Sequence, residues 1–281
     1  MKITLITDST CDLNPALLAE LGIQFAPLKV LFNEKEYIDK VDLTNPEFYN
    51  LMKLSKELPT TSQVNPGEFY ELFSQALQEG NIVVGIFLSS ELSGTYNSAV
   101  IAKEMVGSDG IYLIDSRTTS FALGLMVMKL KEKIDSGASV EEILLFAKDM
   151  IEHNQLYGML DTLENLRKGG RLSSGTAMIG KMLNLKPIIE VQDGKVNMAE
   201  KARGTKKGLA WMIDQVAQSY PEGKIDELGI AHANNLEKLA DLKQLLLERF
   251  QIGKIYEIEI GSVVGTHTGE GAVGVTFYKK S

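Results

Sequence analysis

Four short segments rich in hydroxyl side chains stand out in the first half of the chain. Three of them, residues 7–10 (TDST), 89–95 (SSELSGT) and 115–116 (DS), directly follow apolar runs, and residues 60–62 (TTS) form the fourth. Ser93 and Gly94 also precede a predicted helix, whose free N–H groups and dipole favour an anion. The pattern indicates a site for a carboxylate or phosphate head group. Each segment taken alone could equally be a turn or a helix cap.

The glycine-containing segments do not match nucleotide-binding motifs. The sequence has neither G-x-x-x-x-G-K-[ST] nor a G-x-G-x-x-G after a predicted strand, so the usual phosphate cradle for ATP or NAD is missing. Residues 265–271 are predicted to form a glycine-rich loop, in which His267 could either donate to a carboxylate or hold the loop. His153 and His232 are expected at the ends of a helix and a strand, which favours structural roles.

Serine hydrolysis is an alternative chemistry for the same residues. Ser93, His267 and either Asp8 or Asp115 have the residue types of a catalytic triad, which is defined by geometry and not by chain order. However, no serine stands in a G-x-S-x-G nucleophile elbow. The sequence therefore does not favour a triad.

The elements that must position these residues alternate between strands and helices up to about residue 153. Capping-box patterns begin two of the helices, at Asn65 with Glu68 and at Ser139 with Glu142. Residues 59–63 are predicted to be a polar loop. Strands are predicted at 3–6, 25–32, 82–88 and 111–114, and helices at 15–21, 66–79, 96–106, 118–136 and 139–153. This alternation predicts a mostly parallel sheet, whose carboxyl-end loops converge on one edge.

The second half mixes hairpins with helices. Asp193-Gly194 between two apolar runs predicts a β-hairpin. Strands are predicted near 158–160, 187–191, 195–200, 227–231, 254–260 and 272–278, and helices at 162–168, 173–183, 204–219 and 235–250. We therefore predict an α/β protein of two domains. Residues 1–155 form an N-terminal domain with a mostly parallel sheet and flanking helices, and residues 156–281 form a C-terminal α+β domain.

Composition narrows the class of protein further. The chain has 281 residues, which is long enough to fold without disulfides or metals, and its single Cys11 has no internal partner. No Cys/His cluster has the spacing of a metal site. The N-terminus lacks the apolar core of a secretion signal, and no uncharged stretch is long enough to span a membrane. These features predict a cytoplasmic protein.

The charge is uneven along the chain. The net charge is −8, which argues against nucleic acid as the main partner. Residues 165–207 carry ten Lys/Arg against three Asp/Glu, a local +7, and the remainder of the chain is therefore −15. This basic segment is either a surface for an anionic ligand or partner, or simply a solvated face.

Several short motifs, in order along the chain, resemble those of the DegV family. They are residues 7–13 (TDSTCDL), 59–66 (PTTSQVNP), 89–96 (SSELSGTY), 163–171 (LENLRKGGR), 186–188 (KPI) with Asp193-Gly194, Arg203, and 265–269 (GTHTG). Each motif is weak alone, but together they cover nearly the whole chain. Glu270 departs from the pattern, since many members have proline there.

The resemblance implies a fold related to the substrate-binding part of dihydroxyacetone kinases, with a fatty acid in a tunnel between or within the domains. It implies that Thr61 and Ser93 bind the carboxylate, with Ser62, the Gly94 backbone and His267 nearby. Arg171 and Arg203 would lie on the face that meets a kinase subunit or an acyl phosphate. Candidates for the tunnel wall, all of which would also suit an ordinary core, are Met126, Met128, Leu160, Met178, Ile179, Met182 and Leu183.

The resemblance also implies a division of labour between two proteins. Some members are the fatty-acid-binding subunit of a bacterial fatty acid kinase, which presents the acyl carboxylate to a separate ATP-using subunit. The expected ligand is a long-chain fatty acid such as palmitate, with no cofactor and no catalysis by this chain. Two alternatives stay open: a serine hydrolase or kinase-like enzyme using Ser93 and His267, and an adaptor that binds a protein through the basic segment.

Overall fold

A computed structural model describes residues 2–173 and 184–279. The strands in these residues are β1 Ile3–Asp8, β2 Gln24–Ala26, β3 Lys29–Phe32, β4 Lys35–Ile38, β5 Thr60–Ser62, β6 Ile82–Phe87, β7 Ile111–Asp115, β8 Asn154–Met159, β9 Leu185–Gln192, β10 Lys195–Arg203, β11 Lys224–His232, β12 Gln251–Glu259 and β13 Val273–Tyr278. The helices are α1 Pro15–Glu20, α2 Asn45–Leu54, α3 Pro66–Gln78, α4 Thr95–Val106, α5 Ser120–Asp135, α6 Val140–His153, α7 Glu164–Lys168, α8 Thr205–Ser219, α9 Leu236–Arg249 and α10 Ser262–Thr268, with a 3-10 helix at Ser9–Cys11. Most of the predicted helix 173–183, including Met178, Ile179, Met182 and Leu183, lies outside the described residues.

The first half builds a four-stranded parallel sheet in the order β2-β1-β6-β7, as predicted. Strands β1 and β6 are buried along nearly their whole length, which explains why both read as continuous apolar runs. Helices α3, α4 and α5 pack against this sheet. Both predicted capping boxes are confirmed, at the starts of α3 and α6.

Two predictions in this half are wrong, and both concern the same small sheet. Residues 25–32 form two strands rather than one, because Pro27 has no N–H to continue a ladder and the Leu28 N–H donates to Ser9 Oγ at 3.0 Å. Strand β3 belongs to a separate antiparallel sheet with the strand order β4-β3-β5. The segment predicted as a polar loop supplies β5, in which Thr61 pairs with Val30.

The second half builds a six-stranded sheet in the order β10-β9-β8-β13-β11-β12, antiparallel except for the β11–β12 pair. The predicted hairpin is confirmed: Asp193 and Gly194 have φ of 51° and 79°, as a tight turn with two left-handed residues requires. Helices α8 and α9 cover a buried cluster on this sheet. Because β8 runs through residue 155, the domain division at 155/156 cuts a strand, and it stays a prediction.

Helix α10 includes residues 265–268 of the predicted glycine-rich loop, and only residues 269–271 are non-helical. A Cβ on Gly265 would lie 2.8 Å from both Phe48 Cε1 and Tyr49 Oη, so this glycine allows a helix to pack closely against α2. The helix ends at Gly269, whose φ is 78°. Gly265 thus allows close helix packing. The spacing of glycines in the sequence does not distinguish such a helix from a glycine-rich loop.

None of the helices described in residues 2–173 and 184–279 is both long and apolar enough to cross a membrane.

Candidate functional site

An apolar cavity of about 290 Å³ lies where the carboxyl ends of β1, β6 and β7 face the six-stranded sheet. Strands β8, β9, β10 and β13 form one side of it, and residues that follow β1, β6 and β7 form the other. Its apolar lining is Leu28, Leu88, Leu92, Phe121, Leu156, Leu160, Leu166, Ile189, Val191, Val196, Ile260, Val263, Val264, Ala272 and Val273. The predicted convergence of loops at one sheet edge is therefore confirmed, and the space they enclose suits a hydrocarbon chain.

The predicted head-group residues Thr61 and His267 meet in the wall of this cavity. Strand β5 brings Thr61 and helix α10 brings His267, so that Thr61 Oγ1 lies 2.9 Å from His267 Nε2. Burial, and secondarily the Arg171 guanidinium, lower the pKa of His267 to about 4. The imidazole is therefore neutral at pH 7. Its buried Nδ1 has no hydrogen-bond partner among the described residues.

The turn after α7 shapes the other side of His267. A Cβ on Gly169 would come within 2.4 Å of His267 Nδ1, so only glycine leaves room for the ring. Gly170 has a φ of 69°, a left-handed conformation that also favours glycine. Arg171 then turns back into the cavity wall and donates from Nε to Leu92 O at 3.1 Å and from Nη1 to Gly169 O at 2.6 Å. The motif LENLRKGGR thus places a cation beside the predicted head-group site.

Ser93 lines the same cavity at the start of α4. Its Oγ lies 3.0 Å from Thr95 Oγ1 and accepts a hydrogen bond from Thr95 N at 3.3 Å. Gly94 is the N-cap residue of α4 and makes no side-chain cap. It is not itself among the residues that line the cavity. Ser93 therefore lies in the cavity wall, and the role expected for the Gly94 backbone stays a prediction.

Gln63, which the sequence analysis did not single out, explains why residue 94 is glycine. The Gln63 side chain lies over the start of α4 and donates from Nε2 to Ser98 Oγ at 2.9 Å. A Cβ on Gly94 would be 2.0 Å from Gln63 Oε1. Ser62 and Gln63 both line the cavity. Gln63, which follows β5, thereby connects this strand to α4. The sequence feature that could have identified Gln63 is its position in the TTSQ motif.

The TDST segment after β1 is a buried polar cluster and not an open anion site, which corrects the sequence interpretation. Asp8 accepts hydrogen bonds from Thr10 N at 2.9 Å, Thr10 Oγ1 at 2.6 Å and Leu88 N at 2.7 Å. Both oxygens of its carboxylate are therefore engaged by donors of the chain itself. Burial raises the pKa of Asp8 to about 6. Of this segment, only Thr10 lines the cavity.

The described hydrogen bonds do not assemble the catalytic triad considered from the sequence. Ser93 Oγ bonds to Thr95, and His267 Nε2 bonds to Thr61. Asp8 is engaged as above, and Asp115 accepts from Ser90 Oγ at 2.6 Å. The described part of the chain also contains no His/Cys/Asp/Glu group that could hold a metal ion.

Three other predicted residues lie away from the cavity. Arg203 is exposed at the end of β10, where it pairs with Leu185 across the hairpin. Met126 and Met128 are buried in the core around α5 and do not line the cavity, whereas Leu160 does. The sequence left both methionines open as residues of the cavity wall or of the ordinary core, and they lie in the core.

Comparison with known proteins gives one consistent result. The model of the family described as "Uncharacterised protein, DegV family" matches residues 2–280. A DegV domain-containing protein of Caldanaerobacter subterraneus is 37 % identical over 279 residues, which is 99 % of each chain. A solved DegV family protein of Thermus thermophilus, described as fatty acid binding, superposes with a TM-score of 0.93 at 31 % identity over 100 % of both chains. DegV of Bacillus subtilis, described as a fatty acid binding protein, gives 0.89 at 34 % identity over 100 % of both.

Proposed function

The chain belongs to the DegV family, and we propose that it binds one long-chain fatty acid, such as palmitate, in the cavity. The acyl chain lies along the apolar walls, and the carboxylate is held by Thr61 and Ser93, with Ser62, the Gly94 backbone and His267 beside them. The chain is a binding protein and performs no catalysis of its own. The fatty acids described for the solved relatives support this ligand class.

The observation that carries the proposal is the composition of this single cavity. Most of its lining residues are apolar, while Thr61, His267 and Ser93 contribute neutral hydrogen-bonding groups and Arg171 contributes a positive charge. A fatty acid has the matching division between a long apolar chain and one small anion. Each methylene buried contributes about 0.8 kcal/mol, so the walls supply most of the affinity and the polar groups fix the orientation.

We also propose that a separate ATP-using kinase subunit is the partner that receives the bound acid. Arg203 is exposed and belongs to the basic segment 165–207, whose local charge of +7 suits an acidic or phosphate-bearing partner surface. Arg171 lines the cavity, and in this proposal its charge lies near the carboxylate that is phosphorylated. In that reaction a carboxylate oxygen attacks the γ-phosphorus of ATP, forming an acyl phosphate and releasing ADP.

Ligand content tests the first proposal directly. Denaturing extraction and mass spectrometry of protein purified from bacteria is expected to release about one fatty acid per chain, and delipidated protein is expected to take up palmitate. Val191→Trp, which places a large side chain in the cavity wall, is expected to raise the Kd for palmitate at least tenfold. Ile101→Trp, on an exposed position of α4, is the matched control. Absence of bound lipid together with no palmitate uptake would contradict the proposal.

The partner is tested with loaded protein, ATP and the ATP-using subunit of a bacterial fatty acid kinase. Acyl phosphate formation is expected to slow at least tenfold for Arg203→Glu, while the palmitate Kd stays within threefold of the wild type. No acyl phosphate from the wild-type protein under conditions where the kinase accepts another lipid-binding subunit would count against the partner.

A further inference from the structure

Helix α10, which carries His267, is held at its N-terminal end by two buried carboxylates from the first half of the chain. Asp12 Oδ1 accepts a hydrogen bond from Gly261 N at 2.9 Å. Asp39 Oδ1 accepts one from Ser262 Oγ at 2.6 Å. These aspartates are only 5 % and 1 % exposed, so water does not compete for these bonds.

Asp12 also reaches a second helix that faces the cavity. Its Oδ2 accepts a hydrogen bond from Ser120 Oγ at 2.5 Å, at the first residue of α5. Ser120 has a φ of 57°, a left-handed conformation that a non-glycine residue adopts only when its surroundings hold it there. Ser120 lines the cavity. One carboxylate therefore ties together the starts of two helices on the cavity wall.

The connection from these carboxylates to His267 is short and tightly packed. Ser262 and His267 are five residues apart on α10, which is about 8 Å along the helix axis. Tyr49 Oη donates to Ile260 O at 2.9 Å just before the helix, and Asn165 Nδ2 donates to Thr266 O at 3.1 Å near its end. With Gly265 in close contact with α2, the helix has little room to shift except as one body. A displacement at Gly261 would therefore move His267.

We propose that Asp12 and Asp39 are positioning residues, which set the place of α10 and thereby hold His267 against Thr61 at the head-group end of the cavity. This inference rests on the proposed fatty-acid function. It gives the buried part of the TDSTCDL motif a role, since Asp12 lies too deep to contact the ligand but acts through the residue that does. Lys40, whose Nζ donates to Leu13 O at 2.7 Å, supplies a positive charge beside the two carboxylates.

A double-mutant cycle separates this role from a general contribution to stability. Palmitate Kd values are measured for the wild type, Asp12→Ala, His267→Ala and the double variant. If Asp12 acts through His267, Asp12→Ala raises the Kd at least tenfold in the wild type but less than threefold in the His267→Ala background. Asn81→Ala removes another buried polar side chain, which bonds to Thr4 Oγ1 at 3.1 Å at the opposite edge of the parallel sheet, and should leave the Kd within twofold.

A second variant on α10 and the NMR shifts of the His267 ring provide further tests. Should Asp12→Ala fail to fold, the cycle is repeated with Ser262→Ala, which removes only the Oγ bond to Asp39 and is expected to show the same non-additivity. In the folded variants, the ring nitrogen shifts of His267 should report loss of the Thr61 contact. An equal effect of Asp12→Ala or Ser262→Ala in both backgrounds, or no effect in either, overturns the inference. Failure of the wild type to bind palmitate would instead refute the proposed function.

Discussion

The Nδ1 atom of His267 faces the Cα of Gly169 so closely that a Cβ there would stand 2.4 Å from it. The two residues come from α10 and from the turn after α7, almost a hundred positions apart in the sequence. Through this contact, the KGGR segment shapes the cavity wall around His267 without a hydrogen bond to the imidazole.

Gly169→Ala is therefore expected to weaken fatty-acid binding, because the new methyl group pushes the imidazole away from Thr61. We expect the palmitate Kd, measured by calorimetric titration, to rise about tenfold. The neighbouring Gly170→Ala is the matched control, since a Cβ there meets nothing within 4 Å. Strain at its φ of 69° should lower the free energy of unfolding by about 1–2 kcal/mol while leaving the Kd nearly unchanged. Equal effects of both variants on the Kd would contradict this account.

Thr61→Val is expected to lose head-group affinity with little change in shape. Removing one partly buried hydroxyl partner costs about 1–3 kcal/mol, which corresponds to roughly a five- to 150-fold higher Kd for palmitate. Thr61→Ser retains the hydroxyl and should bind within a few-fold of the wild type. Thr60→Val, on an exposed neighbouring position of β5, controls for the β-branched substitution. If Thr60→Val weakens binding as much as Thr61→Val, the carboxylate is not held at Thr61.

Arg171→Gln is expected to raise the pKa of His267. Burial is the larger cause of its low value of about 4, so removing the guanidinium should move it only part of the way towards 6.5. NMR titration of the His267 ring in delipidated protein measures this shift. Arg203→Gln removes a cation that does not line the cavity and should leave the titration unchanged. The same pKa shift in both variants would contradict a specific effect of Arg171, because it would follow from the loss of any one positive charge.

Asp12→Asn is expected to change how stability depends on pH. Burial raises the pKa of Asp12 from 3.8 to about 7, so the folded protein binds this proton more tightly than the unfolded chain. The stabilisation that this gives is present below about pH 4 and is lost as the pH rises towards 7. An asparagine does not ionise, so the variant should gain on the wild type over this range, by at most about 1.4 kcal/mol per pH unit. Urea titrations across the range measure it, with the exposed Asp42→Asn as control.

Local sequence patterns were sufficient to predict those elements that are specified by residues close together in the chain. The capping boxes at Asn65 and Ser139 and the Asp193-Gly194 hairpin are confirmed because each depends on residues within a few positions. The alternation of strands and helices was enough to predict the parallel sheet.

The elements that the sequence analysis missed depend on distant partners. Strand β5 exists because Thr61 pairs with Val30, and α10 packs as a helix because Gly265 fits against Phe48 and Tyr49. Neither partner is visible in the local pattern. For the same reason, the hydroxyl-rich loops predicted a polar site, but they did not reveal that the Asp8 carboxylate would accept a hydrogen bond from the distant Leu88 N.

Helix α10 has a consequence for building chimeras of this family. It is encoded late in the chain, yet it contacts α2, β3, β5 and the 3-10 helix, all of which precede residue 63. A hybrid joined at 155/156 would take Gly265 from one parent and Phe48 and Tyr49 from the other. The two sides of this helix contact would then come from different parents, although a Cβ at position 265 would lie only 2.8 Å from Phe48 and Tyr49. A unit exchanged into or out of this chain must therefore keep residues 262–268 together with the N-terminal elements they pack on.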